Sequence, residues 1–123
     1  MNAQQIAAHC LSLPGAREDY KWGGVRVFSV AGNKMFAACG LKTGGDLAFK
    51  VDAELFLGYC DRPGFRPAPY LARAMWVSME DPSLINEQAL RAMLERSHQL
   101  VVARLPRRTQ AGLLLDHANA SGL

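Results

Sequence analysis

From Tyr20 to Cys39 the chain reads Tyr-Lys-Trp-Gly-Gly-Val-Arg-Val-Phe-Ser-Val-Ala-Gly-Asn-Lys-Met-Phe-Ala-Ala-Cys. This β-rich stretch around Gly32-Asn33 predicts two strands joined by a two-residue turn, because Gly and Asn accept the positive φ that tight hairpins demand. That turn would set Val30 opposite Met35, Phe28 opposite Ala37 and Arg26 opposite Cys39, with Ser29–Phe36 and Val27–Ala38 on the other face. The pattern leaves open which face is core.

The flanking segments predict a small α+β domain. Asn2 and Gln5 form a capping-box pair before Ile6, Cys10 and Leu13, which repeat at helical spacing until Pro14-Gly15. A helix is expected over Ala3 to Leu13, followed by a charged entry, Ala16 to Tyr20, into the first strand. Lys42 to Asp46 is turn-rich, and Leu47, Phe49 and Val51 alternate as a strand. Asp52 is positioned to cap a short helix bearing Leu55, Phe56 and Tyr59. Prolines 67 and 69 restrict Phe65 to Tyr70 to an edge strand or an extended loop. Leu71 to Ala74 fits either a turn or a half-turn of helix. A last strand, Met75 to Met79, should set Met75, Val77 and Met79 on one face and Trp76 on the other.

The longest periodic stripe is Ile85, Ala89, Leu90, Met93, Leu94, Ser97, Leu100 and Val101, a helix capped by Ser83 or Asn86 and stopped by Pro106. Residues 1–108 are read as one domain. Residues 109–123 are read as a tail in which Leu113 to Leu115 can add a short helix and Ala118 to Leu123 fray.

The residues announce no chemistry. Gly23-Gly24 and Gly44-Gly45 are isolated pairs, suited to strand-end turns and lacking the framework of a phosphate loop. His9, His98 and His117 are scattered, and His9 and His98 are expected on helix surfaces or rims. Ser97 and His98 are sequence neighbours whose side chains diverge on a helix, so they form no dyad. Asp116-His117 falls in the tail. Cys10, Cys39 and Cys60 form no CxxC pair and read as buried or half-buried thiols. No enzyme, cofactor or metal is expected. Residues 2–5 lack the features of a secretory signal and no apolar run approaches a membrane span, so a cytoplasmic protein with no membrane partner is expected.

Charge is more informative. There are 14 Lys and Arg against 11 Asp and Glu, a net +3, and the excess is uneven along the chain. Lys21, Arg26, Lys34, Lys42 and Lys50 face one acid, Asp46. Arg62, Arg66 and Arg73 form a second basic group, and Arg104, Arg107 and Arg108 a third, where they also suit the negative end of a helix dipole. Cations interleaved with Tyr20, Trp22, Phe28 and Phe36 resemble a nucleic-acid surface. Trp22, Phe28 and Trp76 are nonetheless read as core. Lys34, at a protruding turn, is the best single candidate for a phosphate contact.

Several motifs in order carry a family likeness: Leu13-Pro14-Gly15-Ala16, Glu18-Asp19-Tyr20 with Trp22-Gly23, and Lys34-Met35-Phe36-Ala37. Further on come Leu47 to Val51 with Asp52-Ala53-Glu54, Pro67-Ala68-Pro69-Tyr70 before Trp76-Val77, Ser97-His98-Gln99-Leu100-Val101-Val102, and Leu105-Pro106-Arg107. Together, over about residues 3–108, they resemble the MmcQ/YjbR family. The resemblance implies an α-β-β-β-α-β-β-α domain with a single antiparallel sheet, helices packed on one face, similar to CyaY-like and secretion-chaperone-like folds. It also implies double-stranded DNA binding through paired hairpin wings, with no enzymatic activity. Lys34, Arg26, Lys42, Arg66 and Arg73 would then contact phosphates. Two departures stand out. Ala74 and Met75 precede the tryptophan where the family often has basic or histidine residues, and His98 follows the helix serine in place of a frequent aromatic. The alternative is a protein-interaction module docking along the edge near Pro67 and Pro69. A frataxin-like iron role lacks its acidic ridge between Asn2 and Leu13, and a small-molecule enzyme lacks a reacting group.

Overall fold

The computed structural model describes residues 1–42 and 45–115. The chain order is α1 (Ala3–Ser12), β1 (Arg17–Lys21), β2 (Val25–Val30), β3 (Lys34–Cys39), β4 (Leu47–Lys50), a 3-10 turn (Ala53–Leu55), α2 (Phe56–Cys60) and β5 (Phe65–Pro67). A second 3-10 turn (Ala72–Ala74), β6 (Trp76–Met79), a third (Pro82–Leu84), α3 (Glu87–Val102) and α4 (Arg107–Gln110) follow. The six strands form one antiparallel sheet in the order β1-β2-β3-β4-β6-β5.

α1 and α3 pack on one face of this sheet. Ile6, Cys10, Leu90, Leu94 and Val102 meet Phe28, Phe49 and Val77 in the main core. The opposite face holds a smaller cluster of Val25, Val27, Ala38, Ala48 and Trp76, against which the 68–75 connection packs through Ala68 and Leu71. α1 and α3 each begin where a polar cap satisfies the first amides. Asn2 accepts from the Gln5 N–H at 2.8 Å while its own N–H donates to Gln5 Oε1 at 2.9 Å, and Asn86 accepts from the Ala89 N–H at 3.1 Å.

The α+β class and the sheet with helices on one face are as expected, but several details differ. The charged entry is itself a strand. β1 pairs with β2 through all five of its residues, yet its first four are exposed, so no alternation betrayed it. Trp22-Gly23-Gly24 turns the chain into β2, all three at positive φ. The β2–β3 loop spans residues 31–33 rather than two residues, with Ala31 at φ 52° and Gly32 at φ 89°. Arg26, Val27 and Phe28 pair with Cys39, Ala38 and Ala37 as predicted, but Ser29 and Val30 slip to Met35 and Lys34. Phe36 is the extra residue of that bulge. It lets Phe36 and Ala37, adjacent in sequence, both join the helix-side core, which strict alternation forbids.

Asp52 makes no cap. Its carboxylate is taken by Arg96 at 2.9 and 2.6 Å, tying the α2 segment to α3. Met75 sits before β6 in the left-handed region, at φ 65°, so only Val77 and Met79 reach the main core from this stretch. Pro106 opens α4 as its N-cap, and no helix forms at Leu113 to Leu115. Leu113 instead covers Gly15, where an added Cβ would run into the Leu113 side chain. The fraying expected for Ala118 to Leu123, the Asp116-His117 pair and the Thr43-Gly44 part of the loop lie outside the described residues. Among those described, no helix is long and apolar enough to cross a membrane.

Candidate nucleic-acid interface

β3 and β6 begin, and β4 ends, at one end of the sheet, as their antiparallel pairing requires. A cleft of about 510 Å³ opens there, running from the smaller cluster around the strand ends to the C-terminal end of α3. Met35, Leu71 and Trp76 give it an apolar floor on one side, and Val101 and Leu105 on the other. Its cations come from four places: Lys21 at the end of β1, Lys34 at the start of β3, Lys50 at the end of β4 and Arg104 just after α3. No carboxylate is among the described lining residues, and none of these four cations forms an ion pair with a described acid.

Lys50 shows what this arrangement costs. Its Nζ donates to the Ala74 carbonyl, and burial, followed by the charge of Arg104, lowers its pKa. An ammonium with a guanidinium for a neighbour and no counter-ion is better satisfied when an anion occupies the cleft. A second cleft, of about 350 Å³, also carries an arginine, Arg62, but Glu80 and Asp81 share its wall and oppose any phosphate.

Of the five residues predicted to touch phosphate, Lys34 alone lines the acid-free cleft. Arg26 alternates onto the helix-side face, bonds Glu18 Oε2 at 2.8 Å through Nε and lies 5.6 Å over the Phe28 ring. The Glu18 carboxylate holds that guanidinium firmly protonated. Lys42 lies on the 40–46 loop at the opposite end of the sheet, its backbone N–H donating to the Asp46 carboxylate at 3.1 Å. Arg66 stands on the edge strand β5 opposite Ser78, and Arg73 is exposed on the 72–74 turn. These basic groups therefore do not all converge. Lys21, Lys50 and Arg104 lay in the right charge groups, but only the fold brings them to Lys34.

Trp22 also departs from its predicted core position. It is 63% exposed and lines the cleft, whereas Phe28 and Trp76 are buried.

His9 and His98 are not at surfaces or rims. His98 is fully buried, its Nε2 bonded to the Pro14 carbonyl at 2.8 Å and its Nδ1 to Gln99 Nε2 at 2.7 Å. Since the Gln99 amide donates, His98 carries its proton on Nε2 and donates to Pro14. It meets Phe36 edge-to-face at 5.2 Å, so the ring packs as an aromatic would. Burial lowers its pKa, the Pro14 bond opposing. His9 is also buried, with Nε2 3.3 Å from both the Arg91 carbonyl and Glu95.

Ser97 bridges two strands: Oγ donates to the bulged Phe36 carbonyl at 2.6 Å and accepts from the Lys50 N–H at 2.9 Å. It takes over where the β3–β4 ladder stops at Ala37–Phe49. These are structural duties. Burial pushes the Cys39 thiol up to about 11 and raises Cys10 further, so neither supplies a thiolate near neutral pH. Among the described residues, no three His, Cys, Asp or Glu side chains gather to hold a metal ion.

A family model described as YjbR matches residues 11–100. No curated protein matches. Among solved structures, a Deinococcus radiodurans protein with a DUF419 domain is similar at TM-score 0.81 and 21% identity, covering 94% of this chain and 90% of that one. A Pseudomonas syringae protein is similar at TM-score 0.66 and 22% identity, over 82% of this chain and 99% of that one. At such identities the likeness is one of fold.

Proposed function

The chain belongs to the YjbR family, and from that premise we propose that it is a non-enzymatic, cytoplasmic DNA-binding protein that grips phosphates in the acid-free cleft. The observation that carries this reading is the meeting of Lys21, Lys34, Lys50 and Arg104 in one cleft with no carboxylate among its described lining. Lys50, half-buried beside Arg104 without a described counter-ion, is costly to the fold and useful to a polyanion. Lys34 remains the leading contact. Lys21, Lys50 and Arg104 replace Arg26, whose charge is already met by Glu18. Lys42, Arg66 and Arg73 become outlying charges that add long-range attraction.

The alternative, protein docking along the β5 edge, has less to work with, since that strand is three residues long and ends in Pro67.

Fluorescence anisotropy of a labelled duplex at about 50 and 200 mM salt tests the proposal. Four phosphate contacts predict a log–log salt slope of about −3.6, a loss of roughly a hundredfold across that range. Charge reversal, Lys34→Glu, should weaken binding on every duplex sequence alike. Absence of binding at the lower salt overturns the reading.

A further inference from the structure

Trp22 is out of place for a core tryptophan. It is 63% exposed, and its backbone is left-handed at φ 50°, a region bulky side chains rarely enter. Gly23 and Gly24, at φ 78° and 129°, follow it in the same turn, which the Gly24 N–H closes onto the Lys21 carbonyl at 3.1 Å. A turn of this shape would be less strained with Gly or Asn at its first position. The chain thus bears backbone strain and forgoes the burial of an indole to hold that indole at a basic cleft. Local strain that the surrounding structure enforces is a mark of a working site.

A second aromatic repeats the pattern. Tyr70 is 98% exposed and left-handed at φ 65°, immediately before Leu71 of the cleft floor.

Cations without acids beside an exposed aromatic ring are what single strands require. Their backbone seeks the charges, while an unpaired base offers a π-face that a duplex keeps stacked. We propose that the cleft takes single-stranded DNA, with phosphates at Lys34, Lys50 and Arg104 and one unpaired base stacked on Trp22. This rests on the phosphate-binding reading above and deepens it, naming the strand state the site prefers.

The test compares a labelled single strand of about twelve nucleotides with its own duplex on the full chain, at about 50 mM salt. Wild type should hold the single strand about tenfold tighter than the duplex and show quenching of tryptophan fluorescence with the single strand alone. Trp76 also lines the cleft, and Trp22→Phe, which leaves it as the one tryptophan of the chain, measures its share of the quenching. Trp22→Ala should abolish the preference by bringing single-strand affinity down to that of the duplex, while Trp22→Phe should keep most of it. Should Trp22→Ala fail to fold, the wild-type quenching and Trp22→Phe decide the matter. Equal affinity for both forms, or unchanged single-strand binding by Trp22→Ala, overturns the stacking inference and leaves the phosphate reading intact. If neither form binds, both fall.

Discussion

Two serines on opposite faces of the sheet show how differently its two sides are built. Ser97, on the helix side, is fully buried and bonded in both directions, to the Phe36 carbonyl and the Lys50 N–H. Ser78, on the other side, is 1% exposed, and its Oγ has no hydrogen-bond partner among the described residues. The contrast extends to their neighbours. On the helix side His98, Gln99 and Pro14 form a closed network, and even Arg26 has its carboxylate. Around the cleft, cations stand without acids and an indole lies exposed. Pairing is complete where a bulge and a ladder end must be held in one geometry, and among the described residues it is open at the Ser78 hydroxyl and at the cations of the cleft.

The largest effect that could break this comparison is on stability. Ser97→Ala leaves a buried N–H and a buried carbonyl unsatisfied and should cost about 2–4 kcal/mol in urea unfolding. Ser78→Ala removes an unmet hydroxyl and should change stability by less than about 0.5 kcal/mol, or raise it. Equal losses at the two serines would erase the distinction.

His98 sharpens it next, through pH. Its folded pKa lies below its ordinary value of 6.5, with burial as the main cause. The unfolded imidazole therefore takes a proton more readily, and stability falls as pH drops from about 7 through 6.5 and on toward the folded value. From this one group the slope is at most about 1.4 kcal/mol per pH unit. His98→Phe keeps the contact with Phe36 but orphans the Pro14 carbonyl. It should cost about 1–2 kcal/mol at pH 7.5 and remove this part of the acid sensitivity in paired urea melts. A variant with undiminished acid sensitivity would show that the titration belongs elsewhere.

The smallest effect separates a free cation from a spent one. Lys34→Gln should reduce the log–log salt slope of DNA binding by about one, whereas Arg26→Gln, whose charge is met by Glu18, should leave it unchanged. Equal changes at the two positions would mean that the carboxylate does not take Arg26 out of play.

Much of the architecture was written locally. The capping box at Asn2 and Gln5, the period-two strand at Leu47 and the prolines that shorten β5 each act through neighbours in the chain and appear as expected. The stripe from Ile85 to Val101 does form a helix, from Glu87 on, which buries Leu90, Leu94 and Ser97 from it together with His98 and Val102. β1 was illegible because an exposed edge strand held by backbone pairing and the Glu18–Arg26 ion pair needs no apolar face. The bulge at Phe36 was illegible because its cause lies across the core, where Ser97 takes the Phe36 carbonyl and His98 its ring. The candidate site divides the same way. Basic composition and the protrusion of Lys34 can be read from sequence, but Lys21, Lys50 and Arg104 meet only when β1, β4 and the end of α3 converge. Whether Arg26 is free depends on the carboxylate set beside it by strand pairing. Sequence alone determined which segments repeat as helix or strand and how much charge they carry, because propensity, capping and charge are properties of nearby residues. Tertiary structure decided which charges are paired and which gather at an acid-free cleft, because Coulombic and hydrogen-bond partners are chosen by distance in space.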